Sequence, residues 1–402
     1  MKVKNWLWIL LLSAIAVFVL LRLYRMGAFS SSSCESVPPC SVISNIGGPE
    51  DMAADRMNGF LYVSSLDRCS SEPSAEKRGR IFLVNFGPER KKVRDITPAQ
   101  PSDFHPQGID LYTGPEGRKT LFAVNHRKDG SSTIEIFDLP APDQLSHRMT
   151  VADPLLIWPN DLTAVGHQSF FLTNVSRYGR NLGRKLDAFL GLKGGYIAFY
   201  DGHKMKEVAS GLAYPNGIQQ DVQKNRLYLT ETLSGMVKVF AIGRDGYSLT
   251  LKSEIKVQSG LDNLSLDQEG RLWVAAHDDL LNLNRHLRDP VKPSSARIYR
   301  LDEGETGWKK KLIYCLPGSL YSGGSTALLS NEKIFVGSVC GPGILQCPLP
   351  TDREAETMST LEWKRQGSYL EIDGRRVFYR SGGMQGEHLL LLHAFPVASW
   401  GW

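Results

Sequence analysis

A short polar box recurs six times along this chain of 402 residues, and the six copies align on one another. They read Pro49-Glu50-Asp51-Met52, Pro106-Gln107-Gly108-Ile109, Pro159-Asn160-Asp161-Leu162, Pro215-Asn216-Gly217-Ile218, Leu261-Asp262-Asn263-Leu264 and Gly324-Ser325-Thr326-Ala327. Each is followed, about ten to fifteen residues later, by a run with strand character such as Phe60-Leu61-Tyr62-Val63, Arg226-Leu227-Tyr228-Leu229 or Arg271-Leu272-Trp273-Val274. Successive boxes lie roughly 45 to 60 residues apart, within or just above the period of one four-stranded propeller blade. The pattern predicts an all-β, six-bladed propeller. In such a ring the same end of every innermost strand reaches the central axis, so Glu50, Asn160, Asn216, Asp262 and Asn263 are expected to converge there.

Those side chains offer oxygen only, with charge from Glu50 and Asp262 and amide oxygens from Asn160, Asn216 and Asn263. Such a set suits Ca²⁺, which takes six to eight oxygens in irregular geometry. Zinc favours the His and Cys clusters that the boxes lack. A single Asn or Asp at a strand entrance more often forms an Asx-turn. Five such residues, spread over four boxes in register, make the shared cation site the stronger reading.

Between Ser41 and Leu349 the chain is a succession of short strand-like runs and turns, among them Arg80-Ile81-Phe82-Leu83-Val84 and Tyr196-Ile197-Ala198-Phe199-Tyr200. Few stretches have helical periodicity; residues 181–192 are one, expected as a helix laid over the ring. The expected organisation is an anchor and linker over 1–33, the propeller over 34–350, and a separate segment over 351–402. In the first of these, Trp6 to Leu21 is interrupted only by Ser13 and is followed by Arg22 and Arg25. As a helix that run would be about 24 Å long, somewhat short of a bilayer core. Arginines directly after it favour an uncleaved signal anchor over a cleavable signal peptide. Anchored, the propeller would face the lumen or the cell exterior; cleaved, it would be secreted.

Cys40 and Cys347 bracket the propeller, where a bridge would lock the ring and imply an oxidising compartment. Two buried thiols are the alternative. Asn174-Val175-Ser176 matches a glycosylation triplet. Lys plus Arg 47 against Asp plus Glu 42, with no basic stripe interleaved with aromatics, argues against a nucleic-acid partner.

After Pro350 the texture changes. Residues 369–380 are expected to form a hairpin turning at Asp373-Gly374. Leu389-Leu390-Leu391-Leu392 followed by His393-Ala394-Phe395-Pro396 resembles the opening of an α/β-hydrolase, without its nucleophile elbow. The segment is expected to be an incomplete hydrolase-like piece.

The propeller region itself resembles the paraoxonase/arylesterase family of calcium-dependent lactonases, within the gluconolactonase and strictosidine-synthase-like propellers. The residues that carry this are Glu50-Asp51-Met52, Phe104-His105-Pro106-Gln107-Gly108-Ile109, Val124-Asn125-His126, Pro159-Asn160-Asp161, Pro215-Asn216-Gly217-Ile218, Leu261-Asp262-Asn263-Leu264-Ser265 and Leu272-Trp273-Val274-Ala275-Ala276-His277. The resemblance implies a catalytic calcium held by Glu50, Asn160, Asn216, Asp262 and Asn263. It implies a second, structural calcium near Asp51, Asp161 and the Ile109 carbonyl, and a Cys40–Cys347 bridge.

It also implies a pair of histidines that activate water. The second matches His126, but the first falls on Gln107, which cannot take up a proton near neutral pH. His277 is a further candidate base, and His105 would share a strand face with Gln107. The expected function is metal-assisted hydrolysis of a lactone or aryl ester with His126 as base and Gln107 orienting water. A calcium-binding propeller that only binds a small molecule or a protein is the main alternative, and a metal-free condensing enzyme a third.

Overall fold

The structure is a computed structural model that describes residues 2–27, 39–69, 77–87, 92–179, 182–258, 260–350, 368–372 and 375–379. Six four-stranded antiparallel sheets form a six-bladed propeller. Their innermost strands are Pro49–Asp55, Pro106–Thr113, Pro159–Ala164, Pro215–Asp221, Leu261–Leu266 and Gly324–Ser330. The boxes are therefore the first residues of the innermost strands themselves. The hydrophobic runs downstream are the second strands.

Every box contains a register shift against its neighbour strand, at Pro49/Asp51, Pro106/Ile109, Pro159/Leu162, Pro215/Ile218, Leu261/Leu264 and Gly324/Thr326. A bulge places extra residues on one strand and re-aims their side chains. Here it does so six times around one axis, which explains why polar residues recur at that point in otherwise apolar strands.

Hydroxyls on the second strands take up the backbone groups that the bulges free. Ser64 Oγ accepts from Asp51 N–H at 3.2 Å, Thr173 Oγ1 from Asp161 N–H at 3.1 Å and Thr230 Oγ1 from Gly217 N–H at 2.8 Å. Two of these hydroxyls also donate to the next blade, Thr173 to the Asn216 carbonyl at 2.7 Å and Thr230 to the Asp262 carbonyl at 2.6 Å. The third and fourth blades thereby each hold the next box in place. Gly217 has to be glycine for the same reason, because a Cβ there would lie 2.7 Å from Asn263 Cα.

The core lies between blades. Phe122, Val124, Ile134 and Ile136 of the second blade pack on Leu162, Phe170, Leu172 and Tyr196 of the third, all buried. The first strand of the chain's β region, Ser41–Ser44, completes the sixth blade as its outermost strand beside Gly343–Pro348. The Cys40–Cys347 disulfide seals that closure across 307 residues. A second disulfide, Cys69–Cys340, joins the loop after Phe60–Ser65 to the loop after Lys333–Ser338, a link that sequence analysis missed.

Among the described residues three helices accompany the ring: α1 (Lys2–Arg25), α2 (Leu182–Leu190) and α3 (Leu280–His286). The helix expected over 181–192 is α2. It ends at Gly191, whose φ of +69° suits only glycine well, and the Arg22 guanidinium lies over that position. Arg22 donates from Nε to the Phe189 carbonyl at 2.6 Å and from Nη2 to the Ala188 carbonyl at 2.9 Å. The Met26 carbonyl accepts from Leu280 N–H at 2.9 Å, at the start of α3. The end of α1 thus clasps one end each of α2 and α3.

Most of α1 projects large apolar side chains into the open, including Trp6, Trp8, Leu12 and Phe18. Among the described residues no helix is long and apolar enough to cross a membrane.

Two expectations change. Asn174 is fully buried and its Oδ1 accepts from Trp158 N–H at 3.0 Å, so Asn174-Val175-Ser176 presents no surface acceptor. The chain divides into two compact units, 1–349 and 350–402. In the second, the hairpin is present as Ser368–Ile372 paired with Arg375–Tyr379. The described residues there carry no α/β-hydrolase layers, and residues 380–402, which suggested them, lie outside the described residues.

Candidate active site

Glu50, Gln107, Asn160, Asn216 and Asp262 line one cavity of about 580 Å³ at the box end of the innermost strands. Asn263 joins them by donating from Nδ2 to Glu50 Oε1 at 3.2 Å. All five expected ligands are buried. Four of their oxygens, Glu50 Oε2, Asn160 Oδ1, Asn216 Oδ1 and Asn263 Oδ1, have no hydrogen-bond partner. The Asn216 amide is oriented that way by its own Nδ2, which donates to Thr232 Oγ1 at 3.2 Å.

Buried polar atoms are nearly always satisfied, and a cluster of oxygens without partners has the chemistry of a cation site. The set fits Ca²⁺: oxygen only, two carboxylates and three amides. Burial pushes the Glu50 carboxyl up to about 8, with Arg68 pulling it down and Asp51 and Asp262 pushing it further up.

The cavity wall also holds His277, whose Nε2 lies 2.7 Å from Asp262 Oδ2. His277 Nδ1 has no hydrogen-bond partner. His126 is placed differently. It is buried, its Nδ1 lies 3.1 Å from Ser132 Oγ, and its ring stacks on Trp158 with centroids 4.3 Å apart. It does not line the cavity. His105 is buried with Nδ1 3.2 Å from Asp103 Oδ1, and it too is absent from the wall. Gln107 alone represents its segment there.

Asp51, Ile109 and Asp161 line a second cavity of about 390 Å³, farther along the same strands. Asp51 Oδ2 accepts from Ile109 N–H and Asp161 Oδ2 from Ile218 N–H, both at 2.9 Å. Burial raises Asp51 to about 7. It raises Asp161 well above the usual carboxylate range, and the Asp51 charge adds to this. Two desolvated carboxylates that disfavour each other's charge fit a shared cation.

Sequence reasoning missed Arg68, Arg184 and Tyr214, which also line the main cavity. No repeat or spacing marks them: Arg68 and Tyr214 come from loops between strands and Arg184 from α2. Arg184, on α2, lies over the Trp158 ring at 4.9 Å, on a residue that in turn stacks on His126.

A profile of the arylesterase family matches residues 69–349. The chain belongs to the arylesterase family. Serum paraoxonase/arylesterase 2 of Gallus gallus is 29% identical over 327 residues, covering 78% of this chain and 90% of that protein. Serum paraoxonase/arylesterase 1 of Homo sapiens is 26% identical over 325 residues, with the same coverage of 78% and 90%. Mechanosensory abnormality protein 6 of Caenorhabditis elegans is 27% identical over 252 residues, covering 61% and 66%. Among solved structures, a luciferin-regenerating enzyme shares the fold at a TM-score of 0.50 and 13% identity, covering 78% of this chain and 95% of that one. Within this family the chain is a hydrolase of the esterase class.

Proposed function

We propose that this arylesterase is a calcium-dependent hydrolase of lactones or aryl esters. The observation that carries the reading is the group of four orphaned oxygens converging beside the His277–Asp262 pair. Ca²⁺ held by Glu50, Asn160, Asn216, Asp262 and Asn263 would supply polarisation of the substrate carbonyl and stabilisation of its oxyanion. A second Ca²⁺ near Asp51, Asp161 and the Ile109 carbonyl would tie neighbouring blades together.

Gln107 can donate to and accept from a water in the cavity, and so orients it without taking its proton. Two histidines compete for that proton. His126 has the role in the family resemblance, whereas His277 lines the cavity. With Nε2–H donating to Asp262, His277 keeps a lone pair on Nδ1 and is the acceptor we assign. His126, stacked on Trp158, acts on the cavity wall from behind.

The disulfides fit an extracytoplasmic compartment. The apolar side chains that α1 exposes would hold the propeller against a membrane surface there. Metal analysis of the purified full chain, then a lactone and aryl-ester panel with and without EDTA, tests the reading. Hydrolysis unaffected by EDTA would remove calcium from the mechanism. Bound calcium with no hydrolysis at all would favour a binding propeller, the reading that Gln107 in place of histidine supports.

A further inference from the structure

The main cavity is lined by four basic side chains, Arg68, Arg184, Lys185 and Arg288, against two acidic ones, Glu50 and Asp262. Both acids belong to the candidate cation site, so with a divalent ion bound their charge is already matched. The excess positive charge then faces whatever occupies the cavity. Arg68 is half-buried, unlike the exposed Lys185 and Arg288. Burial disfavours its charge, while Glu50 and Asp262 favour it, which places it within electrostatic reach of both carboxylates.

Its two hydrogen bonds hold it without neutralising it. Nη2 donates to the Pro106 carbonyl at 3.1 Å and Nη1 to the Leu66 carbonyl at 3.5 Å. Pro106 precedes Gln107, so the guanidinium is tethered to the segment that carries the water-orienting residue. The adjoining Cys69 is fixed by its disulfide to Cys340. A guanidinium has five N–H donors in a planar fork that matches a carboxylate. Lys185 and Arg288 are exposed on the same cavity, where they would draw an anion inward.

We propose that the substrate is an anionic lactone or ester, carrying a carboxylate beside the scissile carbonyl, and that Arg68 recognises that carboxylate. This rests on the hydrolase reading above. It adds a specificity residue beside the candidate metal ligands Glu50 and Asp262.

The test compares a pair of isosteric γ-lactones, 5-oxotetrahydrofuran-2-carboxylate and its carboxamide, with the calcium-loaded full chain. The wild type is expected to prefer the carboxylate in kcat/KM by about tenfold or more, the scale of one charge-assisted hydrogen bond. Arg68→Met should bring the ratio towards one, and Arg68→Lys should leave part of it. Equilibrium binding of glutarate against glutaramate gives the same comparison without turnover, and Arg68→Met should abolish the difference there.

Should Arg68→Met fail to fold, Lys185→Gln with Arg288→Gln lowers the same positive charge from the exposed side, and a smaller preference is expected. Equal hydrolysis of the two lactones, or an undiminished preference in Arg68→Met, overturns the inference while leaving the hydrolase intact. If neither these lactones nor any member of the neutral panel is hydrolysed, the hydrolase reading itself fails.

Discussion

Asn263 and Glu50, 213 residues apart in sequence, meet at the propeller axis with Asn263 Nδ2 donating to Glu50 Oε1 at 3.2 Å. That bond uses one oxygen of Glu50 and leaves Glu50 Oε2 and Asn263 Oδ1 without partners. Removing calcium would leave these groups buried and unsatisfied, a cost that weighs on the folded state alone. EDTA is therefore expected to lower the melting temperature. A ligand at a hundredfold its Kd stabilises by about 2.7 kcal/mol, and this is the scale of loss expected. Asp262→Ala should reduce both calcium affinity and the response to EDTA. A melting temperature that ignores EDTA in the wild type would show that no cation holds the site together.

The pH dependence follows from the same carboxylates. Glu50 is raised from 4.5 to about 8 and Asp51 from 3.8 to about 7, burial being the largest cause in both. A folded-state value above the unfolded one contributes stability that is complete below the unfolded value and is lost as pH rises through the folded one. The calcium-free protein should therefore lose stability between about pH 4 and pH 8. Calcium needs the carboxylates ionised, so its stabilising effect should grow across that window and its binding should release protons. Thermal melts at several pH values, with calcium and with EDTA, check this. A calcium effect of equal size at pH 5 and pH 8 would contradict it.

His277 and His126 make separable predictions. Positioned acid–base catalysis is worth about 10² to 10⁴ in rate. If His277 takes the proton, His277→Gln should lower kcat by about that factor. His126→Ala should cost less and act mainly by loosening Trp158. Gln107→His adds an imidazole to the cavity wall and should raise a weak wild-type activity. The reverse order of losses would return the role to His126.

Arg22 joins the N-terminal helix to the roof of the cavity. Its guanidinium is buried and bonds two carbonyls at the end of α2, whose Arg184, Lys185 and Phe189 line the cavity. Hydrogen bonds to charged groups contribute about 1.5–3 kcal/mol each. Arg22→Ala should speed amide hydrogen exchange in α2 and raise KM while the propeller strands stay protected. Unchanged exchange in α2 would show that α1 holds nothing in place.

The closing strand Ser41–Ser44 depends on the Cys40–Cys347 disulfide next to it. Removing a native disulfide typically costs about 2–5 kcal/mol. Cys40→Ser should lower the melting temperature by that equivalent and expose the sixth blade first to proteolysis.

The sequence by itself determined the number of blades and the polar residues that open their innermost strands. These were legible because a propeller repeats one backbone unit, and every unit puts its bulge at the same place. A box such as Pro215-Asn216-Gly217-Ile218 thus announces both its strand and its position on the axis. Cys40–Cys347 was legible for a related reason, since a closed ring must bring its two ends together.

Tertiary structure alone decided the rest. Arg68 reaches the cavity from a loop, Cys69 pairs with Cys340 across 271 residues, and Arg22 meets Phe189 across 167. Nor could strand alternation decide that His277 faces the cavity while His126 lies against Trp158. Those contacts depend on the path of loops and helices across the ring, where no repeat fixes one residue's position from another's. Periodicity reports what each blade shares, whereas the roof and wall of the cavity are built from what only one blade has.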